Sequence, residues 1–509
     1  MAEKLILNFS TGDVELFSQA SRDRNPLHLS ADYARKTPYA QPVVFGILGA
    51  LFCFGYLPDR PGYQLCKLKL EFPGPLFANI DYGLEISDQG EKAIAKIYDG
   101  RRLLLKLVAQ FRPGSPVANS LLANSASNPE VPFRSAAAQS DSADWAAGKR
   151  LSGSYSPAHK AFQTLMARMN AAKKGLGEVQ AAALLGCSYL IGMELPGQQA
   201  LFSKLSLDFS ACPQKLDSPL EYELEIADFD LRFNLLRLNV GFTQAAAPFA
   251  SGELRAFVRS DSPVSTVAAI AQRLPTSSQL AGKVALVTGA SRGLGSAIAQ
   301  ALAFQGCTVL ANFHRSQPEA EALAQSVANT AGQIILMQGD ASDLAWCQSA
   351  RAKIEQTWGR LDILVCNACP AILPLWLEPS AIERVNDYVS RSLALMSVPM
   401  SGLLGLVPSG GRTVVLSSVV AVDSPPSDWP HYVSAKCAIE GLTRVAAVEY
   451  PQVGFLMVRP PKLLTDQMNT PLGREGALST ELVSAKIVER LAQPLEAGRA
   501  AILSDFAPS

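Results

Sequence analysis

Four side chains in this 509-residue sequence have the types and spacing that proton transfer needs. In SRDRNPLH (21–28) a carboxylate, Asp23, and an imidazole, His28, flank the pair Asn25-Pro26. Pro26 fixes its own φ and pushes Asn25 out of the helical region, so the turn is stiff. A stiff turn can hold both groups toward one point, where they would position a water and transfer its proton. The same residue types also suit a solvated turn with a capping aspartate. In YVSAK (432–436) Tyr432 and Lys436 stand four apart and share one face of a helix. A free phenol has a pKa of about 10, and a nearby ammonium favours its ionised form.

The elements that must carry these groups are legible in outline. A chain of this length predicts about three domains at roughly 150 residues each. Residues 113–145 and 260–280, rich in Ser, Ala, Asn and Pro, read as linkers, the second with room for one or two helical turns. They leave segments 1–112, 146–259 and 281–509. The first two repeat each other. Gly49 and Gly55 match Gly186 and Gly192, and KLKLEF (67–72) matches KLSLDF (204–209), all at an offset of 137 residues. YGLEI (82–86) answers YELEI (222–226) with three residues inserted. A duplicated fold is expected, each copy an apolar helix laid on alternating, antiparallel strands. In the third segment a buried strand, VALVT, enters the glycine-rich turn TGASRGLG and then a helix. That order brings backbone N–H groups to a pyrophosphate at a helix N-terminus.

Composition excludes some functions. The chain is 48% apolar and 18% charged with zero formal net charge, so a nucleic-acid partner held by bulk electrostatics is not expected. No apolar run reads as long enough to cross a bilayer, and MAEKLILNFS lacks the pattern of a signal peptide; a cytoplasmic protein is expected. Nine cysteines are scattered. Only Cys366 and Cys369 have C-x-x-C spacing, and no second pair completes a zinc site, so no metal is expected.

Residues 9–34 (FSTGDVELFSQASRDRNPLHLSADYA) and 41–52 (QPVVFGILGALF) resemble the MaoC-like (R)-specific enoyl-thioester hydratases of the hot-dog fold, over most of residues 1–110. In that family the aspartate and histidine of DxNPxH are the catalytic dyad, which implies that role for Asp23 and His28. The family includes double hot-dog enzymes in which one copy keeps the dyad and the other loses it and widens the acyl tunnel. Residues 146–259 have no DxNPxH and one histidine, His159, and resemble the second kind. Phe45 stands where the family usually has histidine. The resemblance also implies that N–H groups near Gly46, at a helix N-terminus, bind the thioester oxygen.

Residues 281–509 resemble the short-chain dehydrogenase/reductase family, β-ketoacyl reductases most closely, through TGASRGLG, GDASD (339–343), LDILVCNAC (361–369), TVVLSSV (413–419) and YVSAK. The fold class implied is an α+β double hot-dog followed by an α/β Rossmann-like, doubly wound parallel sheet. By this resemblance Tyr432 donates a proton to a carbonyl oxygen as hydride arrives, Lys436 also holds the cofactor ribose, and Ser418, or its neighbour Ser417, hydrogen-bonds the substrate oxygen. Gly289, Ser291, Arg292, Gly293, Leu294 and Gly295 of the glycine-rich turn would cradle the cofactor. Arg315, Ser316, Ala341, Asn367, Ala368 and Thr465 would line it, with Asp340 at the adenine. The second strand ends in Asn312 and Phe313, then His314, Arg315 and Ser316, with no acid to repel a 2′-phosphate. Two guanidiniums, Arg292 and Arg315, favour NADPH. The sequence departs from the family at three places: Cys369 replaces the glycine of NNAG, Pro461 follows Pro460 in place of glycine, and the catalytic asparagine aligns near Ser390, with Asn386 one turn earlier.

The two halves fit one sequence of reactions: a 3-oxoacyl thioester is reduced, and the 3-hydroxyacyl product is dehydrated to the 2-enoyl thioester, in synthesis of the fatty-acid or polyketide type. An oxidative hydratase–dehydrogenase, and a dehydratase carrying a non-catalytic nucleotide-binding scaffold, are the alternatives. The sequence holds no recognisable carrier domain, so the acyl group would arrive on an external carrier protein or CoA. The resemblance implies a homo-oligomer through the reductase half.

Overall fold

A computed structural model describes residues 5–114, 133–139, 145–210, 213 and 215–506. The chain forms two compact units, Met1–Ser260 and Asp261–Ser509. The expected linker 113–145 lies largely outside the described residues.

In the first unit the elements run β1 (Leu5–Leu7), α1 (Thr11–Ser21), α2 (Pro26–Leu29), α3 (Ala31–Ala34), α4 (Gly46–Gly55), β2 (Tyr63–Glu71), β3 (Tyr82–Asp88), β4 (Lys92–Asp99) and β5 (Arg102–Pro113). They continue β6 (Arg150–Tyr155), α5 (His159–Met169), α6 (Glu178–Tyr189), β7 (Ala200–Phe209), β8 (Leu220–Asp230), β9 (Leu235–Gln244) and β10 (Ala247–Val258). Ten strands join in one antiparallel sheet in the order β1-β3-β4-β5-β2-β7-β10-β9-β8-β6. Read from its two ends, the order is the same in both halves. The halves meet where β2 pairs with β7, and there the repeated segment pairs with its own copy. Lys69 lies opposite Ser206, its equivalent at the 137-residue offset, so a pseudo-twofold axis passes through that pair. Two ion pairs obey the same axis: Lys67 with Asp208 at 2.7 Å, and Lys204 with Glu71 at 3.4 Å. The apolar helices α4 and α6 lie against the sheet. Every α6 residue from Val179 to Tyr189 is buried, because a helix covered on all sides needs no polar face.

The second unit runs α7 (Val267–Ala271), β11 (Val284–Val287), α8 (Gly293–Phe304), β12 (Thr308–Phe313), α9 (Gln317–Ser326), β13 (Gln333–Gln338), α10 (Leu344–Trp358), β14 (Ile363–Cys366) and α11 (Ile382–Leu403). It ends with β15 (Arg412–Leu416), α12 (Pro430–Glu449), β16 (Gly454–Val458), α13 (Pro471–Arg474), α14 (Thr480–Ala492) and β17 (Ala500–Leu503). Seven parallel strands order as β13-β12-β11-β14-β15-β16-β17. Strand order reverses between β11 and β14, and their carboxyl ends open the crevice where such sheets bind ligands. The short α7 falls inside the stretch expected to be a linker.

One expectation needs correction. The helical stretch Ile382–Leu406, 25 residues holding an 18-residue window of mean hydropathy 1.3, is long and apolar enough to cross a membrane by length and composition. No uninterrupted apolar run marks it in the sequence, because Arg391 and small polar residues break the C-terminal part and Glu383, Arg384 and Asp387 the rest. In this fold Val385, Met396, Met400 and Leu403 of that helix are buried.

Candidate active sites

In the first unit the Asn-Pro pair opens a helix. Asn25 caps α2, its side-chain oxygen accepting from Leu27 N–H at 3.0 Å, and Pro26 takes the first position, where no N–H is needed. The Asn25 amide donates to the carbonyls of Gly192 (3.0 Å) and Gly197 (2.9 Å), which ties the turn to the second half of the sheet. Asp23, 2% exposed, accepts from Asn25 N–H at 3.0 Å and from Ser188 Oγ at 2.8 Å. Burial pushes its carboxyl up to about 7, against the two lowering hydrogen bonds. His28 Nδ1 lies 2.8 Å from the Val43 carbonyl. A carbonyl only accepts, so Nδ1 carries the proton and Nε2 keeps its lone pair. The ring stacks on Phe45 at 3.8 Å. Burial pulls its pKa down to about 4; the Val43 contact opposes this and the charge of Arg259 adds to it.

Asp23 and His28 both line one cavity of about 230 Å³, with Phe45, Gly46, Phe72, Ser188, Gly192 and Phe202 among its walls. Gly46 opens α4, whose first N–H groups have no intrahelical acceptors. Ser188 and Gly192 come from the second copy, and the sequence reading named neither as part of the site. Gly192 was nonetheless visible as a repeated glycine. A Cβ placed there would sit 2.5 Å from Asp23 Oδ1 and 2.6 Å from Oδ2, so the carboxylate uses the space that glycine leaves. His159 is exposed at the start of α5, outside the cavity lining.

In the second unit the glycine-rich turn follows β11. Gly289 (φ +64°) and Gly293 (φ +56°) adopt left-handed backbone that glycine alone enters without strain. A Cβ on Gly295 would lie 2.2 Å from the Gly289 carbonyl, so the turn folds against its own helix. Ser291, half-buried, and Leu294, buried, complete it. Asn367 braces it from β14 by donating to the carbonyls of Thr288 and Gly289, both at 3.1 Å. Ala368 N–H donates to Thr288 Oγ1 at 3.1 Å. Asn312 is consumed in the same scaffold, accepting from Gly289 N–H at 3.2 Å and donating to Gly339 O at 2.9 Å. Asp340 accepts from Ser342 and has His314 Nδ1 at 3.8 Å, with Ala341 buried beside it. Thr465 lies against Gly293. Arg315 is exposed and has no ion-pair partner among the described residues, while Ser316 is buried. Arg292 is engaged by an acid from elsewhere in the unit: its Nη1 lies 3.3 Å from Asp466 Oδ2. The left-handed, close-approach turn and an acid-free end of β12 fit a dinucleotide, and the residues just named would hold it.

Tyr432 and Lys436 lie on α12, with the Lys436 Nζ 5.5 Å from the Tyr432 ring centre. Lys436 is buried and donates to the Leu416 carbonyl at 2.7 Å. The expected net lowering of the Tyr432 pKa is not what the site gives. Burial raises it, and Lys436 with a Ser418 hydrogen bond offsets only part, because the phenol is shielded from water. Ser418 is thus the serine beside the phenol. Ser417 points away and donates to Glu440 Oε1 at 2.8 Å, where Arg459 clamps the same carboxylate with two bonds of 2.7 Å. Ser390 and Asn386, the positions considered for an asparagine, are both exposed on α11. One turn apart on another face, Tyr388 and Ser392 face inward instead: the Tyr388 hydroxyl lies 3.5 Å from Cys369 Sγ, and its ring meets His431 edge-on at 4.4 Å. Helix phase decides which of these side chains face the interior.

Residues 283–474 match the family model of the short chain dehydrogenases. The oxidoreductase UcpA of Salmonella typhimurium is 32% identical over 234 residues, which are 44% of this chain and 87% of that protein. The hydroxynaphthalene reductase-like protein Arp2 of Metarhizium acridum is 29% identical over 232 residues, 43% of this chain and 86% of its own. A short chain dehydrogenase from Burkholderia cenocepacia, solved in complex with NADP, is 25% identical with a TM-score of 0.41, covering 44% of this chain and 98% of its own. The chain belongs to the short-chain dehydrogenase family and is an oxidoreductase through its second unit.

Proposed function

We propose that the chain is a bifunctional ketoreductase–dehydratase: its second unit reduces a 3-oxoacyl thioester with NADPH, and its first dehydrates the 3-hydroxyacyl product to the 2-enoyl thioester. For the reductase, the support is the family together with the Tyr432–Lys436–Ser418 cluster. When bound, the reduced dinucleotide supplies hydride to the carbonyl carbon. Tyr432, which burial keeps protonated, gives the oxygen its proton, and Ser418 orients that oxygen. The exposed Arg315 favours the 2′-phosphate, with Arg292 held nearby by Asp466.

For the dehydratase, the observation that carries the reading is one cavity lined by two titratable groups driven in opposite directions. Between pH 4 and 7 the carboxyl is protonated and the imidazole is neutral, so an acid and a base coexist. Neutral His28 takes the proton from the α-carbon. The C–O bond at the β-carbon breaks with a proton from Asp23, releasing water and leaving the double bond. The pseudo-symmetric sheet with a buried helix in each half supports the double hot-dog reading of this unit, one copy catalytic and the other supporting it. A cytoplasmic enzyme taking acyl groups from CoA or a carrier protein, and assembling as a homo-oligomer, completes the proposal.

The test supplies 3-oxoacyl thioesters of several lengths, on CoA and on a carrier protein, with NADPH, and follows both NADPH loss and enoyl product. Absence of both across the set refutes the reading. Tyr432→Phe separates it from the scaffold alternative: the substitution should abolish NADPH consumption and leave dehydration of supplied 3-hydroxyacyl thioester intact.

A further inference from the structure

Several elements present charge or a titratable group to His28. Asp23, from the turn between α1 and α2, Tyr39 and Arg102 line the same cavity; Arg259 follows β10 of the second half, outside that lining, and its charge is one of the influences that lower the His28 pKa. Arg259 is unusual among them. It is 8% exposed, its Nε is buried without a hydrogen-bond partner, and no carboxylate pairs with it among the described residues. Its Nη2 donates to the Tyr33 hydroxyl at 2.6 Å and to the Gln198 carbonyl at 2.9 Å, and the guanidinium carbon lies 5.1 Å from the Tyr33 ring centre. Tyr33 belongs to α3, the element after the helix that carries His28, and its hydroxyl donates to the same Gln198 carbonyl at 2.9 Å. A buried cation with no counter-charge is costly, and mere packing would be served better by an apolar side chain.

We propose that Arg259 is a positioning residue of the dyad site: anchored on Tyr33 and Gln198, it fixes the segment that follows His28 and adds an uncompensated positive charge to the surroundings of the imidazole. A second positive charge on the ring is then disfavoured, over and above burial, and Nε2 is held as a base. The inference rests on the dehydratase reading for its consequence in turnover, though not for its effect on the ring.

The experiment follows the His28 ring by proton NMR titration in the full-length chain. Four histidines keep the spectrum tractable, and His28→Gln assigns the resonance. In the wild type the ring should titrate at about 4. In Arg259→Gln it should titrate about one pH unit higher, a tenfold change in the protonation equilibrium, with the acid limb of dehydration moving by the same amount. A folded Arg259→Gln chain with an unmoved His28 overturns the proposal. Should that variant fail to fold, Tyr33→Phe keeps the Arg259 charge and removes the hydroxyl on which the guanidinium is anchored. It should leave the ring titration in place and lower kcat about tenfold at unchanged KM; wild-type kcat in that variant overturns the anchoring role. Absence of dehydration in the wild type would refute the reaction, while the ring titration would still report on Arg259.

Discussion

Gly192→Ala should disable the dehydratase from a distant part of the sequence. The added Cβ would lie 2.5, 2.6 and 2.8 Å from Oδ1, Oδ2 and Cγ of Asp23, whereas ordinary contact begins at 3.4 Å. The carboxylate must therefore retreat by about 0.9 Å, the difference between those two distances. It has little freedom to do so, since Asn25 N–H and Ser188 Oγ hold its two oxygens. A displacement of about 1 Å at a reacting group costs roughly 10²-fold in rate. Stability should change less: overpacking costs about 1–3 kcal/mol, and alanine in a helical turn returns about 1 kcal/mol relative to glycine. The assay measures dehydration of a 3-hydroxyacyl thioester and ketone reduction on the same preparation, with circular dichroism as the folding check. Ketone reduction should be unchanged, which excludes general damage. A folded Gly192→Ala chain with undiminished dehydration would refute the claim that Asp23 works in the space this glycine leaves.

The dehydration rate should trace a bell against pH, with limbs at about 4 and about 7, because His28 must be deprotonated and Asp23 protonated together; stopped-flow rates across that range check it, and a rate still rising above pH 8 contradicts the assignment of Asp23 as acid. Arg315→Glu should shift preference from NADPH toward NADH by at least about tenfold, the equivalent of roughly 1.4 kcal/mol, read from kcat/KM for the two cofactors. Glu440→Ala should destabilise the second unit by about 3–5 kcal/mol in urea unfolding, since it strands a mostly buried Arg459. Burial raises the Glu440 pKa, but the bonds from Arg459 and Ser417 outweigh it and leave it lowered. Its stabilisation is therefore present above the unfolded value of 4.5 and is lost as pH falls through the lower folded value, so the wild-type unit should lose stability on acidification in a way that Glu440→Ala does not.

The duplication was legible because it is written at constant spacing. The 137-residue offset that joins KLKLEF to KLSLDF makes Lys69 and Ser206 equivalent, and the structure pairs them at the axis. The dinucleotide turn was legible because its geometry demands glycine at particular places, Gly289 and Gly293 above all. The environment of the dyad was not. Ser188 reaches Asp23 across 165 residues of sequence, and Arg292 meets Asp466 across 174. Local periodicity carries no record of which side chain waits on the far side of a packed interface. The facing of α11 was not legible either. The family resemblance points to a position near Ser390, and the rotation of a helix by about 100° per residue sets that position to solvent and Tyr388 and Ser392 inward.

A near-symmetric scaffold with one dyad raises the question of what occupies the equivalent place in the other half. The helices preceding it end alike: α1 closes on Arg22 and α5 on Asn170, both in the left-handed region at φ 59° and 48°. Asp23 follows the first cap and Ala171 the second. Across the axis, Gly55 is the counterpart of Gly192. A Cβ on Gly192 would strike the Asp23 carboxylate, whereas one on Gly55 would meet the Met169 carbonyl oxygen at 3.5 Å and its Cα at 3.8 Å, ordinary contact with backbone. The two glycines therefore do different work. In one half the glycine clears room for the buried Asp23 carboxylate; in the other, the chain itself has closed in and Met169 is buried there. The second half thus has no acid at this place whose desolvation needs compensation, and its helix α6 supplies Ser188 to the carboxylate of the first.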